Sequence, residues 1–166
     1  MALALAEEPQ LATELQLQQT LAERRNEAIS NCQFFLVDDN PVNLIGLKLA
    51  IRDFSCPSTA INSYNQNAAD VLATIKQQYE AVPTSKRKVM FLDYDHGRFN
   101  GPELARLLRH EIPTMAIFSM STHEFSTMIT AYEGINLAGF CRKPSSTAVL
   151  RSAVGEFLVP ADSSSR

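Results

Sequence analysis

The sequence predicts an α/β protein with a doubly wound, five-stranded parallel sheet and flanking helices, preceded by one further helix. Two observations predict this class. Short apolar runs without polar alternation recur along the chain, as expected for strands that are covered on both faces. Segments with the apolar spacing of helices separate these runs, and such alternation implies parallel strands joined by right-handed crossovers. A chain of 166 residues has the length of one such domain with an extension.

The first predicted element is a helix over residues 11–29, in a segment rich in Gln, Glu, Leu and Ala. Its apolar stripe is thin, and Gln18 and Arg25 interrupt a second seam. The pattern therefore does not distinguish a linker helix from a helix that forms a homodimer. We expect residues 1–31 to be a helical extension or linker.

Five strand and helix units are predicted within residues 32–158, which we expect to form one domain. The predicted strands are 34–37, 59–61, 89–92, 115–120 and 138–142. Four of the predicted helices begin at the Asn40-Pro41 cap, near residue 68, at Gly101-Pro102 and near residue 149. The remaining one follows the fourth strand and ends before Gly134. Residues 159–166 are expected to be a short polar tail.

Composition limits the class of function. A net charge of −3 with interspersed charges gives no basic face for a phosphate backbone, so we expect no direct contact with nucleic acid. No apolar run has the length of a membrane span, and the apolar residues 1–6 lack the basic segment of a signal peptide. The cysteines Cys32, Cys56 and Cys141 have no C-x-x-C spacing, which fits a reducing cytoplasm better than a disulfide framework or a zinc site.

Polar side chains follow the predicted strands at one end of the sheet. Asp38, Asp39, Asp93, Ser121 and Lys143 lie at or just beyond strand ends, where open α/β sheets bind their ligands. Carboxylates that meet there repel one another unless a cation compensates, and Mg²⁺ is the natural choice for oxygen ligands. A carboxylate can also accept a phosphoryl group covalently, while a lysine and a hydroxyl can contact phosphate oxygens. The sequence therefore predicts Mg²⁺-dependent phosphoryl chemistry at this edge.

Several short motifs, in one order along the chain, carry a resemblance to a known family. The F-F-L-V-D-D-N of residues 34–40 resembles the first-strand acidic pair of response-regulator receivers, and F-L-D with the later N-G at 100–101 is similar to their phospho-acceptor strand and turn. Met120-Ser121 resembles the fourth-strand hydroxyl position, and F-C-R-K-P at 140–144 resembles the fifth-strand aromatic and Lys-Pro. Residues 32–158 thus resemble a CheY-like receiver domain with a flavodoxin-like fold. The D-D-N-x-x-N form is common in receivers of hybrid histidine kinases.

The resemblance implies a phospho-acceptor and a metal site. Asp93 would accept the phosphoryl group. Mg²⁺ would be held by Asp39 and Asp93, by Asp38 mainly through water, and by the backbone carbonyl of Asp95. The implied donor is a histidine kinase or a histidine phosphotransfer protein.

The resemblance also implies a switch. Lys143 and Ser121 would contact the phosphoryl group, and Phe140 would turn inward when Ser121 moves. His96-Gly97 stand where many receivers have Met-Pro, and loop histidines are usually solvated, so we expect His96 to be solvated and assign it no role.

Several alternatives remain open. Ser119 lies on the same side of its strand as Ser121 and could supply the hydroxyl. Asp93-Tyr94-Asp95 also resembles the D-x-D of haloacid-dehalogenase-type phosphatases, although these need a later acidic pair for the metal and the only Asp-Asp pair precedes the nucleophile. A pseudo-receiver would use the same fold to bind proteins without phosphorylation. Finally, the chain could be a stand-alone regulator or a part of a hybrid kinase.

Overall fold

The computed structural model describes residues 8–162; the predictions for residues 1–7 and 163–166 lie outside this part of the chain. A short 3₁₀ turn, Arg52–Phe54, follows the second helix. The remaining elements are α1 (Glu8–Ser30), β1 (Cys32–Asp38), α2 (Pro41–Ile51), β2 (Ser58–Asn62), α3 (Ala68–Glu80), β3 (Arg87–Asp93), α4 (Gly101–Glu111), β4 (Ala116–Ser121), α5 (Phe125–Ala131), β5 (Gly139–Arg142) and α6 (Thr147–Leu158). Among residues 8–162, no helix combines the length and the apolar character needed to span a membrane.

The five strands form one sheet in the order β2-β1-β3-β4-β5, and all pairs of neighbours are parallel. This confirms the predicted fold class, including the helix that precedes the sheet. Because the strands are parallel, their carboxyl ends lie at one edge. β1 and β3 are central, so Asp38 and Asp93 end adjacent strands.

Helices cover both faces of the sheet, and alternate side chains of each strand serve the two faces. On β1, Phe35 and Val37 belong to a core with α3, α4 and α5. Phe34 and Leu36 belong to a second core with α1, α2 and α6. This burial on both faces explains why the strands are apolar without alternation.

Side-chain caps start two helices immediately beyond the sheet edge. The Asn40 Oδ1 accepts a hydrogen bond from the Val42 N–H at 2.9 Å, and Pro41 occupies the first turn of α2. Asn100 and Glu103 form a capping box at the start of α4. Both caps hold the loops around the carboxyl edge in place.

The last turns of α1 are part of the packed structure. Ile29 is 1% exposed and joins the core under α6. Arg25 donates from Nε to the Val159 carbonyl oxygen at 3.0 Å, and Gly155 leaves room for its stem, since an added Cβ would lie 3.2 Å from the Arg25 Cδ. By contrast, residues 10–20 are exposed all around the helix.

Candidate functional site

The carboxyl edge of the sheet opens into a cleft of about 640 Å³ between the loops that follow β1, β3, β4 and β5. The six polar residues that the sequence places at a site all line this cleft, namely Asp38, Asp39, Asp93, Asp95, Ser121 and Lys143. The strand ends therefore bring together residues that are up to 105 positions apart in the chain.

Three carboxylates meet in this cleft. Oxygen atoms of Asp38, Asp39 and Asp93 lie within 4.8 Å of one another. Asp38 and Asp93 are buried, and Asp39 is partly exposed. Burial raises the pKa of Asp93 to about 6; a hydrogen bond from Lys143 opposes this rise, and the charge of Asp38 adds to it. An all-oxygen set with excess negative charge fits a hard divalent cation such as Mg²⁺.

Lys143 bridges two of these carboxylates. Its Nζ donates to Asp38 Oδ2 at 2.7 Å and to Asp93 Oδ1 at 2.6 Å. Burial alone would lower the pKa of this ammonium, but its two hydrogen bonds and the charges of both carboxylates outweigh burial and raise the pKa. The lysine therefore stays charged and directly contacts the carboxylate of Asp93. The peptide bond between Lys143 and Pro144 is cis.

The two serines of β4 have different surroundings. Ser121 lines the cleft, and its Oγ accepts a hydrogen bond from the His123 N–H at 3.0 Å. Ser119 is fully buried, and its Oγ donates to the Tyr132 hydroxyl at 2.9 Å. Although both side chains point to the same side of the strand, Ser121 lines the cleft, whereas Ser119 is hydrogen-bonded to the residue that follows α5.

Phe140 is half-buried and lies beside an aromatic residue that the sequence did not single out. Its ring packs edge-on against Tyr132, with centroids 5.9 Å apart. Tyr132 is buried under the start of α4, where a Cβ on Gly101 would collide with its hydroxyl. Its position at the end of the predicted helix, just before the stop at Gly134, gave no sign of this contact.

The expectation that His96 is solvated is wrong. Its side chain is 1% exposed and stacks on Phe99 with ring centroids 4.5 Å apart. Nε2 lies 2.6 Å from the Asp93 carbonyl oxygen, and Nδ1 lies 2.7 Å from the Ser63 Oγ. A carbonyl can only accept, so Nε2 carries the hydrogen and Nδ1 accepts from the hydroxyl. Burial lowers the pKa of His96, which agrees with this neutral form.

Sequence comparison identifies the family. The model of the response regulator receiver domain matches residues 34–155, which is most of the chain. The structure defines a class of protein, namely a doubly wound α/β fold with a cluster of acidic side chains at the carboxyl edge of its sheet. Within that class, the chain belongs to the response-regulator receivers of two-component signalling, which confirms the resemblance seen in the motifs.

Solved structures share this fold. The chain resembles a response regulator receiver domain protein from Clostridium thermocellum with 16% identity and a TM-score of 0.61, over 76% of this chain and 94% of that one. For the Vibrio cholerae chemotaxis protein CheY4, the identity is 13%, the TM-score 0.62 and the coverage 76% and 98%. For a sensor protein from Polaromonas sp. JS666, the identity is 18% and the TM-score 0.61, over 76% of this chain and 95% of that one. At these identities the likeness is one of fold. No curated protein matches the sequence.

Proposed function

We propose that the chain accepts a phosphoryl group on Asp93 from the phosphohistidine of a histidine kinase or a histidine phosphotransfer protein, with Mg²⁺ as cofactor. One observation carries this proposal. The Asp93 carboxylate lies in an open cleft, in contact with a charged lysine and beside two more carboxylates. The family is one of phosphoryl-accepting signalling domains, and this arrangement is what such chemistry needs.

The transfer has a simple balance of bonds. A carboxylate oxygen of Asp93 forms a bond to phosphorus while the P–N bond to the donor imidazole breaks, and the released imidazole nitrogen takes up a proton. Lys143 contacts Asp93 directly, so its ammonium is placed to bind an oxygen of the incoming group. The Ser121 hydroxyl lines the same cleft and donates to another oxygen.

The residues that would hold Mg²⁺ are Asp39, Asp93, the backbone carbonyl of Asp95, and Asp38 mainly through water. When bound, the cation offsets the repulsion among the carboxylates and the negative charge of the phosphoryl oxygens. The close approach of three acidic side chains supports this assignment.

The added charge of the phosphoryl group then biases a switch at the edge of the sheet. Ser121 follows the phosphoryl group, and Phe140 turns inward in response. Phe140 pairs in register with Ser119, two residues before Ser121, so both switch residues lie on the neighbouring strands β4 and β5. α6 follows β5 directly and receives the change.

An apolar face of α2 is the surface that we propose for the phosphohistidine-bearing donor protein. Val42, Ile45 and Leu49 share one side of the helix and are between 58% and 71% exposed. Val42 also lines the cleft, so this face continues to its rim. A protein whose histidine reaches Asp93 has to cover the rim, and apolar contacts there would stabilise the complex.

Comparing a protein phosphodonor with a small-molecule phosphodonor separates an effect on docking from an effect on phosphoryl transfer. With a purified histidine kinase that phosphorylates the wild-type chain, Ile45→Glu is expected to slow transfer while leaving phosphorylation by acetyl phosphate unchanged. Ile129→Glu on α5 is a matched control, because Ile129 is equally exposed but α5 packs on the opposite face of the sheet from α2. Equal slowing by both variants would contradict the proposed docking face.

Two assignments remain predictions. Homodimerisation through α1 fits the exposed leucines Leu11, Leu15 and Leu17, and a monomeric mass in light scattering would contradict it. The three cysteines are unpaired, in keeping with the cytoplasmic location that we propose. Whether the chain acts alone or within a hybrid kinase does not affect the chemistry of the site.

Intact mass spectrometry tests the proposed function. After incubation with Mg²⁺ and acetyl phosphate, the wild type is expected to carry one phosphoryl group that hydroxylamine removes. Asp93→Asn is expected to carry none, while Asp95→Asn, which changes an exposed carboxylate and keeps the backbone carbonyl, retains the adduct. If the wild type gains no adduct and binds no Mg²⁺, the chain is a pseudo-receiver instead.

A further inference from the structure

A continuous series of hydrogen bonds joins the backbones of Asp38 and Asp93, the two buried acidic residues of the cleft. The Ser63 N–H donates to the Asp38 carbonyl oxygen at 3.0 Å. The Ser63 hydroxyl donates to His96 Nδ1 at 2.7 Å, and His96 Nε2 donates to the Asp93 carbonyl oxygen at 2.6 Å. Ser63 follows β2 and His96 follows β3, so these hydrogen bonds connect the ends of β2, β1 and β3.

This series of hydrogen bonds is shielded from water, and it gives both the Ser63 hydroxyl and the His96 imidazole a hydrogen-bond partner. Ser63 is 0% exposed and His96 1%. The ring of Phe99 stacks on the imidazole and makes neither of these hydrogen bonds. Only an imidazole with its hydrogen on Nε2 can accept from the serine and donate to the carbonyl at once. An apolar side chain of similar size would fill the same space without connecting the two backbones.

We propose that Ser63 and His96 form a buried clamp that fixes the spacing of the β1 and β3 carboxylates and thereby sets how tightly the cleft binds its divalent cation. This inference rests on the proposed Mg²⁺ site. Asp38 and Asp93 are the residues whose carbonyls the clamp holds, and their carboxylates repel each other. Mg²⁺ requires near-ideal octahedral geometry, so a loss of this restraint weakens binding. Ser63 and His96 act through Asp38 and Asp93 and are positioning residues.

The test compares variants of the intact chain by calorimetric titration with MgCl₂ and by urea unfolding. The double variant Ser63→Ala/His96→Met removes both side-chain hydrogen bonds and leaves no unpaired polar group on either side chain. It is expected to bind Mg²⁺ about tenfold more weakly than the wild type. His96→Gln keeps an N–H that can reach the Asp93 carbonyl and is expected to recover much of this affinity.

Phe99→Leu separates the clamp from general stability. It removes the stacked ring but neither hydrogen bond of the clamp, so it should lower the urea midpoint and leave the Mg²⁺ dissociation constant unchanged. If the double variant binds within about twofold of the wild type, or if Phe99→Leu weakens binding equally, the clamp is refuted and the proposed function stands. If the wild type itself binds no Mg²⁺, the proposed function fails and the clamp with it.

Discussion

Replacing Lys143 with Met is expected to destabilise the protein strongly at neutral pH. The Lys143 side chain is only 20% exposed, and it compensates the carboxylates of Asp38 and Asp93, which are 4% and 10% exposed. Met keeps most of the apolar stem and removes the charge. Removing one partner of a buried ion pair costs about 3 kcal/mol or more, because the remaining charges stay buried without compensation.

Urea unfolding in EDTA measures this loss. With a slope of about 2 kcal/mol per molar urea, the midpoint should fall by about 1.5 M. Arg142→Met is the matched control, because Arg142 pairs at 2.8 Å with Glu124 on the surface, where both side chains are more than half exposed. That pair contributes at most about 1 kcal/mol.

The cause of the loss can be tested by pH and by Mg²⁺. The pKa of Asp93 is already raised to about 6, and it should rise further without the lysine. At pH 5 the carboxyl is then mostly neutral, so the cost of the substitution should shrink; added Mg²⁺ should also recover part of the loss. A midpoint within about 0.5 M of that of Arg142→Met at neutral pH would refute the reasoning.

Three further outcomes are expected. Gly101→Ala should destabilise the fold by more than about 1 kcal/mol, because its Cβ would lie 2.9 Å from a backbone oxygen, whereas Gly46→Ala, with open space around it, should be neutral or stabilising in thermal melts. Below pH 6.5 the unfolded chain takes up a proton that buried His96 resists, so His96 should contribute a loss of stability on acidification of up to about 1.4 kcal/mol per pH unit. The raised pKa of Asp93 has the opposite effect, so the contribution of His96 is measured as the difference between wild type and His96→Gln in urea melts at pH 5.5 and 7.5. Ile29→Ala should cost about 2 to 4 kcal/mol in urea unfolding, and Leu15→Ala, exposed on the same helix, should cost less than about 0.5 kcal/mol.

The fold was predictable because its determinants are local. Apolar runs, the Asn40-Pro41 cap, the helix start at Gly101-Pro102 and the stop at Gly134 each act within a few residues, and the structure has an element at every predicted place. β2 gave the weakest pattern because it is an edge strand with mostly half-exposed side chains. Even so, parallel pairing explains why residues after successive strands meet at one cleft.

The surroundings of the site were less predictable, because they depend on contacts between distant segments. His96 stands in a polar stretch, but it is buried and hydrogen-bonded to Ser63, 33 residues away. The alternation of side chains along the strand cannot separate Ser119 from Ser121, since the difference comes from Tyr132, which follows α5. One indication was available, because Ser63 follows a predicted strand, as the residues that line the cleft do.

The partial docking of α1 gives the helix the geometry of a lever. Its last turns are held by the Arg25 hydrogen bond, by buried Ile29 and by the contact of Arg25 with Gly155, while residues 10–20 are exposed. The exposed portion is about 16 Å long at 1.5 Å per residue, so a tilt of about 10° at α6 would displace its far end by roughly 3 Å. A small change in packing at the end of the sheet would therefore become a larger displacement at the far end of α1, and a protein bound rigidly to that end would move with it.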